Sequence, residues 1–256
     1  MCLVVFAWRT HKTYPLLLIG NRDEMHARPT APLAWWQTAP ILGGRDLSAG
    51  GTWLATDGTG RFGAITNFRE ATASKAGGKT MPSRGELIPQ FLAEKDSPFE
   101  FLNRLKARAQ HYAGFSIVIG NRSELAFYCN RDGQDPAILE PGIYGLSNST
   151  LNVPWPKVSA SRQRLSDAIH QPFADPLELT DLLSDRKPVT DELLPKTGLA
   201  LSLERRLSPA FIVDTAYGTR STSVLLLGQN DSYGDLVIER SYAPDGAVQQ
   251  TVRVNI

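Results

Sequence analysis

Residues 2–8 read CLVVFAW and residues 16–24 read LLLIGNRDE. Both runs begin with apolar side chains that favour extended backbone, and the short segment between them is polar and contains Pro15. The sequence therefore predicts an antiparallel pair of strands over residues 2–8 and 16–21. Cys2 stands at the head of the first strand, and Asn21 stands at the end of the second.

Cys2 directly follows the initiating Met1. Removal of that methionine, which is usual before a small side chain, would place a thiol and a free α-amine on one residue. The pKa of an α-amine is roughly 7.7–8.0 and that of a cysteine thiol roughly 8.5, so the amine can accept the thiol proton near neutral pH. Cys2 is therefore a candidate nucleophile with its own base. The alternative is a small, inert hydrophobic residue, which is the more common role of a cysteine considered alone.

Length and charge exclude several classes of protein. The chain has 256 residues, with 27 basic and 26 acidic side chains and a formal net charge of +1. This length suits a single domain over residues 1–256 with one substantial core. The balanced charge provides no long-range attraction for nucleic acid or for an anionic membrane.

Cys2 and Cys129 are the two cysteines, which are too few for a disulfide framework or a four-cysteine zinc site. The amino-terminal apolar run breaks at Arg9, so it predicts neither a signal peptide nor a membrane anchor. We expect a cytoplasmic protein without a metal. Cys129 is expected in the core, and the histidines lack the spacing of metal ligands: His11, His26, His111 and His170.

Further strands are predicted around residues 52–56 and 62–67, followed by helices over 83–92 and 97–110. Strands then follow over 114–120, 124–130 and 143–146, a helical stretch over 155–194, and β-rich segments at 211–214, 220–228, 233–242 and 246–254. The glycine-rich residues 58–63 fit the G-x-G-x-x-G pattern of dinucleotide-binding proteins, but they join strand to strand and are interpreted as a hairpin turn. Residues 21–51, rich in Gly, Pro and Trp, are interpreted as a long functional loop. This order predicts an α+β fold with mainly antiparallel sheets.

Several motifs together resemble one known family. They are Asn21-Arg22-Asp23-Glu24, Gly50-Gly51-Thr52-Trp53-Leu54, Thr66-Asn67, Ser83-Arg84-Gly85-Glu86-Leu87, Tyr144-Gly145-Leu146-Ser147-Asn148-Ser149 and Tyr217-Gly218-Thr219-Arg220. The chain resembles the NRDE family, also called the transport and Golgi organisation family. That family is distantly similar to the cysteine branch of the N-terminal nucleophile hydrolases, which includes the choloylglycine hydrolases. The resemblance implies a four-layer αββα sandwich, with two mainly antiparallel sheets flanked by helices and the nucleophile at the end of a central strand.

The resemblance also implies roles for residues beyond Cys2. Asp23 corresponds to the carboxylate that contacts the amine of the nucleophile, and a nearby carboxylate does stabilise an ammonium. Asn148 resembles the asparagine that stabilises the oxyanion, and Asn67 is a second candidate donor. Arg220 is a candidate for the positive charge that lowers the thiol pKa. Each also has an ordinary interpretation, the first three as turn residues and Arg220 as a solvated strand-edge arginine.

Two functions follow from these observations. In the first, Cys2 attacks an amide or another acyl compound that is held beneath residues 22–51. In the second, which the resemblance implies, the same scaffold carries haem, as a haem chaperone, or binds acyl-CoA or another lipid. No cofactor is then required, although haem is a candidate cargo, and the oligomeric state stays open. The candidate ligand-binding residues are Asn21, Arg22, Glu24, Trp36 and Arg45, with Arg22 or Arg45 meeting a propionate or phosphate.

A third interpretation, a structural or membrane-traffic adaptor, has no sequence feature in its favour.

Overall fold

The computed structural model describes residues 2–70, 81–171, 173–229 and 233–256. Thirteen strands lie within these residues: β1 Cys2–Trp8, β2 Leu16–Met25, β3 Thr30–Trp35, β4 Leu42–Asp46, β5 Leu54–Thr56, β6 Phe62–Asn67, β7 Phe115–Gly120, β8 Leu125–Cys129, β9 Ala137–Ile138, β10 Gly142–Leu146, β11 Tyr217–Leu227, β12 Leu236–Tyr242 and β13 Val248–Asn255. Four α-helices accompany them in the same residues: α1 Leu87–Ala93, α2 Pro98–Lys106, α3 Pro156–Ala168 and α4 Leu201–Arg206.

The strands form two antiparallel sheets. The first has the order β10-β1-β2-β11-β12-β13, and the second has the order β3-β4-β5-β6-β7-β8-β9. In the first sheet, β1 is an interior strand, and Cys2 lies opposite Arg22 of β2. The predicted strand pair over residues 2–8 and 16–21 is therefore confirmed, and β2 continues beyond it to Met25.

Three buried clusters divide the molecule into four layers. Between the sheets, side chains such as Phe6 and Trp8 of the first sheet meet Leu54 and Phe62 of the second. Helices α1 and α2 cover the outer face of the second sheet. Helix α3 and the 3-10 helix Pro176–Leu183 cover the outer face of the first. The predicted four-layer αββα sandwich is confirmed, because each sheet has one apolar face toward the other sheet and one toward helices.

The interpretation of residues 21–51 as a loop was wrong, because this segment contains the end of β2 and all of β3 and β4. The sequence did not predict β4 because this strand contains Gly43 and Gly44, and glycine is uncommon in strands. A Cβ atom on Gly44 would lie 2.4 Å from the ring of Trp53, and one on Gly43 would lie 2.7 Å from the carbonyl oxygen of Leu54. These glycines are required by close packing, and glycine otherwise disfavours a strand.

Two helical predictions covered more residues than are helical in the structure, and one predicted strand is not formed. Within its described residues, 155–171 and 173–194, the stretch predicted to be helical contains α3 and two 3-10 helices, Pro176–Leu183 and Asp191–Leu193. Helix α2 ends at Lys106, four residues before the predicted end, and residues 211–214 form no strand. The turn between β5 and β6 was predicted correctly, since the Asp57 amide donates to the Arg61 carbonyl at 3.1 Å and closes the hairpin.

Candidate active site

Cys2 lies in a cleft of about 390 Å³ at the end of the sandwich. The strand pairing of β1 with β2 brings Arg22, Asp23 and Glu24 to the same cleft, so the last three residues of the motif Asn21-Arg22-Asp23-Glu24 line it. Most of the remaining lining residues come from the chain between β4 and β6 and from the segment before α1, while one precedes β3 and one precedes β7. They are Arg28, Asp46, Ala49, Gly51, Thr52, Trp53, Ile65, Asn67, Met81, Pro82, Ser83, Arg84, Gly85 and Ala113.

Asp23 is buried beside Cys2 and is held by β11. Its Oδ1 atom accepts a hydrogen bond of 2.7 Å from the Thr219 hydroxyl, and its carbonyl accepts one of 3.0 Å from the Tyr217 hydroxyl. Burial raises the pKa of the Asp23 carboxyl, while the positive charges of the amino terminus and Lys157 act in the opposite direction. The net direction of the pKa is upward, because burial outweighs the nearby positive charges, and the hydrogen bonds from β11 hold the carboxyl in place.

The thiol of Cys2 experiences opposing influences. Burial is the largest, and it raises the pKa of the thiol. The positive charge of the amino terminus lowers this pKa, Asp23 raises it, and Arg22 lowers it again. A hydrogen bond from the Asp23 backbone N–H also favours the thiolate. The net direction is upward, so Cys2 needs a proton acceptor close by to act as a nucleophile near neutral pH.

Arg22 and Arg28 have carboxylate partners inside the cleft. The Arg28 Nε atom lies 2.6 Å from Asp46 Oδ2, and Arg22 lies 3.6 Å from the same oxygen. Arg22 also donates to the Thr30 hydroxyl at 3.0 Å and stacks over the Trp53 ring at 4.2 Å. This ion-pair network fixes Arg22 as one wall of the cleft.

The two asparagines proposed as oxyanion donors lie next to each other but in different positions. Asn67 lines the cleft. Asn148 is buried behind it and donates from Nδ2 to the Asn67 carbonyl at 2.9 Å. The Ser147 hydroxyl, next to Asn148 in the chain, donates to the Cys2 carbonyl at 3.1 Å. Asn67 is therefore in position to meet a ligand, whereas Asn148 supports the backbone of Asn67.

Asn21 does not line the cleft. Its Nδ2 atom donates to the carbonyl oxygens of Leu183 and Ala210, at 3.0 and 2.8 Å, and its Oδ1 atom accepts from Thr222 at 2.6 Å. These buried bonds connect β2 to the segments that cover the outer face of the first sheet.

Arg220 is also directed away from the cleft. The β2–β11 register shifts between Thr219 and Ser221, so Arg220 is the extra residue of a β-bulge. Its guanidinium donates to the carbonyl oxygens of Met25 and Arg28, at 2.9 and 3.1 Å.

Trp36 and Arg45 form a pair of their own outside the cleft lining. The Arg45 guanidinium lies 4.6 Å from the centre of the Trp36 ring and donates to the Gly50 carbonyl at 3.2 Å. Cys129 is buried between the sheets, as predicted for a core residue.

Sequence reasoning missed two charged residues close to Cys2. Arg84 lines the cleft, and a negative charge on the Cys2 sulfur would raise the pKa of Arg84. Lys157 is buried behind Asp23 on α3, where its Nζ atom donates to the Leu207 carbonyl at 2.8 Å. Burial lowers the pKa of Lys157 to about 8, although Asp23 opposes this change. Arg84 belongs to the motif Ser83-Arg84-Gly85-Glu86-Leu87, whereas no local sequence pattern indicates a role for Lys157.

In the part of the chain that the structure describes, no group of three or more His, Cys, Asp or Glu side chains is placed to hold a metal ion. None of the helices described there has the length and apolar character needed to cross a membrane.

Comparison with known proteins places these features in a family. The profile of the family described as "Transport and Golgi organisation 2" matches residues 1–244. The "Transport and Golgi organization 2 homolog" of Mus musculus is 29% identical over 251 residues, covering 90% of this chain and 90% of the relative. The "Transport and Golgi organization protein 2 homolog" of Homo sapiens is 28% identical over 249 residues, covering 89% and 88%.

A solved structure has the same fold at low sequence identity. The C2A mutant of the conjugated bile acid hydrolase from Clostridium perfringens superposes with a TM-score of 0.57 and 9% identity, covering 100% of this chain and 92% of that chain. The similarity shows a shared sandwich of two sheets and helices. It leaves the chemistry to be argued from the residues of the cleft.

Proposed function

This chain belongs to the Transport and Golgi organisation 2 family and has an N-terminal nucleophile hydrolase fold, and from that premise we propose an amidohydrolase with Cys2 as its nucleophile. One observation carries the proposal: Cys2 begins an interior strand at the base of a cleft, directly beside the buried carboxylate of Asp23. A nucleophile, an orienting acid and space for a small ligand are thus close together.

The proposed reaction begins once processing has freed the α-amine of Cys2. The amine takes the thiol proton, and the sulfur attacks the carbonyl carbon of an amide. The C–N bond then breaks, and the leaving amine receives the proton from the ammonium, which leaves a thioester on Cys2. Water activated by the free α-amine attacks that thioester, releasing the acid and restoring the thiol. Asp23 stabilises the ammonium at each stage.

Asn67 is the proposed donor to the oxyanion that forms during both attacks, because it lines the cleft. Asn148 holds the Asn67 backbone through its 2.9 Å hydrogen bond and acts as a positioning residue. Loss of one such oxyanion donor typically lowers kcat by about 10²–10³-fold. The substitution Asn67→Ala is therefore expected to have an effect of that size while leaving the fold intact.

The test combines processing and labelling. Intact mass from the native host reports whether Met1 is removed, and an electrophilic acyl probe followed by peptide mapping reports whether Cys2 is acylated. Cys2→Ala should abolish labelling, whereas Cys129→Ser, which changes the buried cysteine, should retain it. Retention of Met1 together with an unlabelled Cys2 in the wild type would contradict the proposed hydrolase.

A second candidate is a non-catalytic carrier of haem or acyl-CoA in a reducing, cytoplasmic compartment. The upward direction of the Cys2 pKa favours it, because a buried thiol that stays protonated is a poor nucleophile. The guanidinium groups of Arg22 and Arg28 would then face propionate or phosphate groups. Saturable binding of haem or palmitoyl-CoA to a protein with an unlabelled Cys2 would favour the carrier over the hydrolase.

A further inference from the structure

The segment before α1 is held rigidly against the cleft. The Gly85 carbonyl accepts from the Thr52 amide at 3.0 Å, and a Cβ atom on Gly51 would lie 2.4 Å from the Gly85 carbonyl carbon and oxygen. One residue further on, Glu86 accepts a hydrogen bond of 2.6 Å from the Tyr112 hydroxyl. Arg84 lies within this fixed 3-10 turn, so its direction into the cleft is determined by the fold.

Arg84 differs from the other two arginines of the cleft. Arg22 and Arg28 both interact with the carboxylate of Asp46. Arg84 donates from Nη1 to the Gly114 carbonyl at 2.9 Å, and within the described ranges no carboxylate oxygen lies within 4.0 Å of its guanidinium.

A guanidinium has five N–H donors, and a partly buried one is costly unless an anion accompanies it. Burial indeed lowers the pKa of Arg84, while the nearby charges of Cys2, Glu70 and Glu24 partly oppose that change.

We propose that Arg84 binds an oxyanion group of the ligand, a carboxylate or a phosphate, in the part of the cleft next to Cys2. This inference rests on the proposed function for the identity of the reacting bond and adds the class of substrate: an amide that carries a carboxylate or a phosphate. The planar fork of Arg84 pairs with two oxygens of such a group, which lysine does not do. The anion thereby orients the amide toward the sulfur of Cys2.

The experiment compares three small probes with one skeleton: N-acetylglycine, N-acetylaminomethylphosphonate and the neutral N-acetylglycinamide. Binding to the intact protein is measured by calorimetry, without any need for turnover. The wild type is expected to bind at least one anionic probe about 10-fold or more tightly than the neutral one, and Arg84→Gln to abolish that preference. The better anionic probe distinguishes a carboxylate ligand from a phosphate-type ligand.

Arg61→Gln is the matched control. Arg61 is also partly buried and donates to a single backbone carbonyl, that of Phe91 at 2.9 Å, but it does not line the cleft. This variant should keep the wild-type preference. Equal affinities for all probes in the wild type, absence of saturable binding, or an unchanged preference in Arg84→Gln would each overturn the inference.

A second measurement separates this inference from the proposed function. Iodoacetate and iodoacetamide both alkylate a thiolate with loss of iodide, and they differ chiefly in charge. In the wild type, the rate with iodoacetate divided by the rate with iodoacetamide should be higher at Cys2 than at free cysteine. In Arg84→Gln this ratio should fall to the value of free cysteine. If the anion preference is present while the acyl probe leaves Cys2 unmodified, the anion site stands and the hydrolase fails.

Discussion

Replacement of Lys157 by methionine tests the electrostatics of the layer behind Cys2. Lys157 is 6% exposed, and burial lowers its pKa from the ordinary value of 10.5 to about 8. Methionine has a similar length and no charge, so it keeps most of the packing of α3 and removes the titration.

The direction in which folding stability changes with pH follows from the number of protons bound in each state. Between pH 8 and pH 10.5 the unfolded chain holds a proton on Lys157 that the folded protein has released, so the folded state gains stability as the pH rises. With these two pKa values, the buried lysine costs about 3 kcal/mol at pH 7.5 and about 1 kcal/mol at pH 9.5. Relative to Lys157→Met, the wild type should therefore gain about 2 kcal/mol over that interval.

The measurement is the free energy of unfolding in urea for both proteins at pH 7.5 and pH 9.5. Groups far from Lys157 that titrate in both proteins cancel in the difference between them, whereas the titrations of Asp23 and Cys2 are coupled to Lys157 and belong to the measured effect. Parallel pH profiles for the two proteins would refute the assignment of a lowered pKa to Lys157. A wild type that loses stability relative to the variant as the pH rises would refute the downward direction of the Lys157 pKa shift.

Two further predictions concern stability, one at a buried ion pair and one at a close backbone contact beside the cleft. Glu204→Gln removes one partner of the buried Arg69–Glu204 ion pair, whose side chains are 3% and 4% exposed, and should lower the free energy of unfolding by about 3–5 kcal/mol. Gly51→Ala forces a Cβ atom against the backbone of Gly85, so it should cost about 1–3 kcal/mol and weaken anion binding at Arg84 in the same calorimetric assay.

Each of these changes has a control in the same chain. Asp135→Asn breaks an exposed ion pair with Lys106 and should cost much less than Glu204→Gln, so an equal loss would contradict the role of burial at Glu204. Gly20→Ala places a Cβ atom no closer than 3.5 Å to its neighbours, which is ordinary contact. If Gly51→Ala is as well tolerated as Gly20→Ala, the close approach of Gly51 to Gly85 does not hold the segment in place.

Local periodicity was enough to predict much of this architecture. The apolar runs at residues 2–8 and 62–67 are strands because their side chains suit a pleated, buried surface, and both runs were predicted within a residue. The capping box of Ser97 and Glu100 likewise starts α2 where it was expected, because its hydrogen bonds involve only neighbouring residues. The ends of helices depend on distant contacts, and these were predicted less well.

The residues of the candidate site also fall into two groups, those identified from the sequence and those placed only by the tertiary structure. Cys2 and Asp23 were found from the sequence, since one stands at the start of a strand and the other lies in a motif on its neighbour. The placement of Arg220 depends on a β-bulge, and that of Arg84 depends on contact between Gly51 and Gly85, more than thirty positions apart in the chain. Neither arrangement leaves a local pattern in the sequence.

The sequence by itself determined an α+β fold with antiparallel strands and the strand that begins with Cys2, because apolar periodicity is a property of short segments. The four-layer sandwich and the carboxylate of Asp23 came from the resemblance of several motifs to a known family. Only the tertiary structure decided which charges surround the sulfur. Arg84 and Lys157 come from separate layers and approach Cys2 through packing, and Asn21 leaves the cleft because Leu183 and Ala210 offer it hydrogen bonds. Electrostatic environment depends on distance in space, which sequence spacing does not specify.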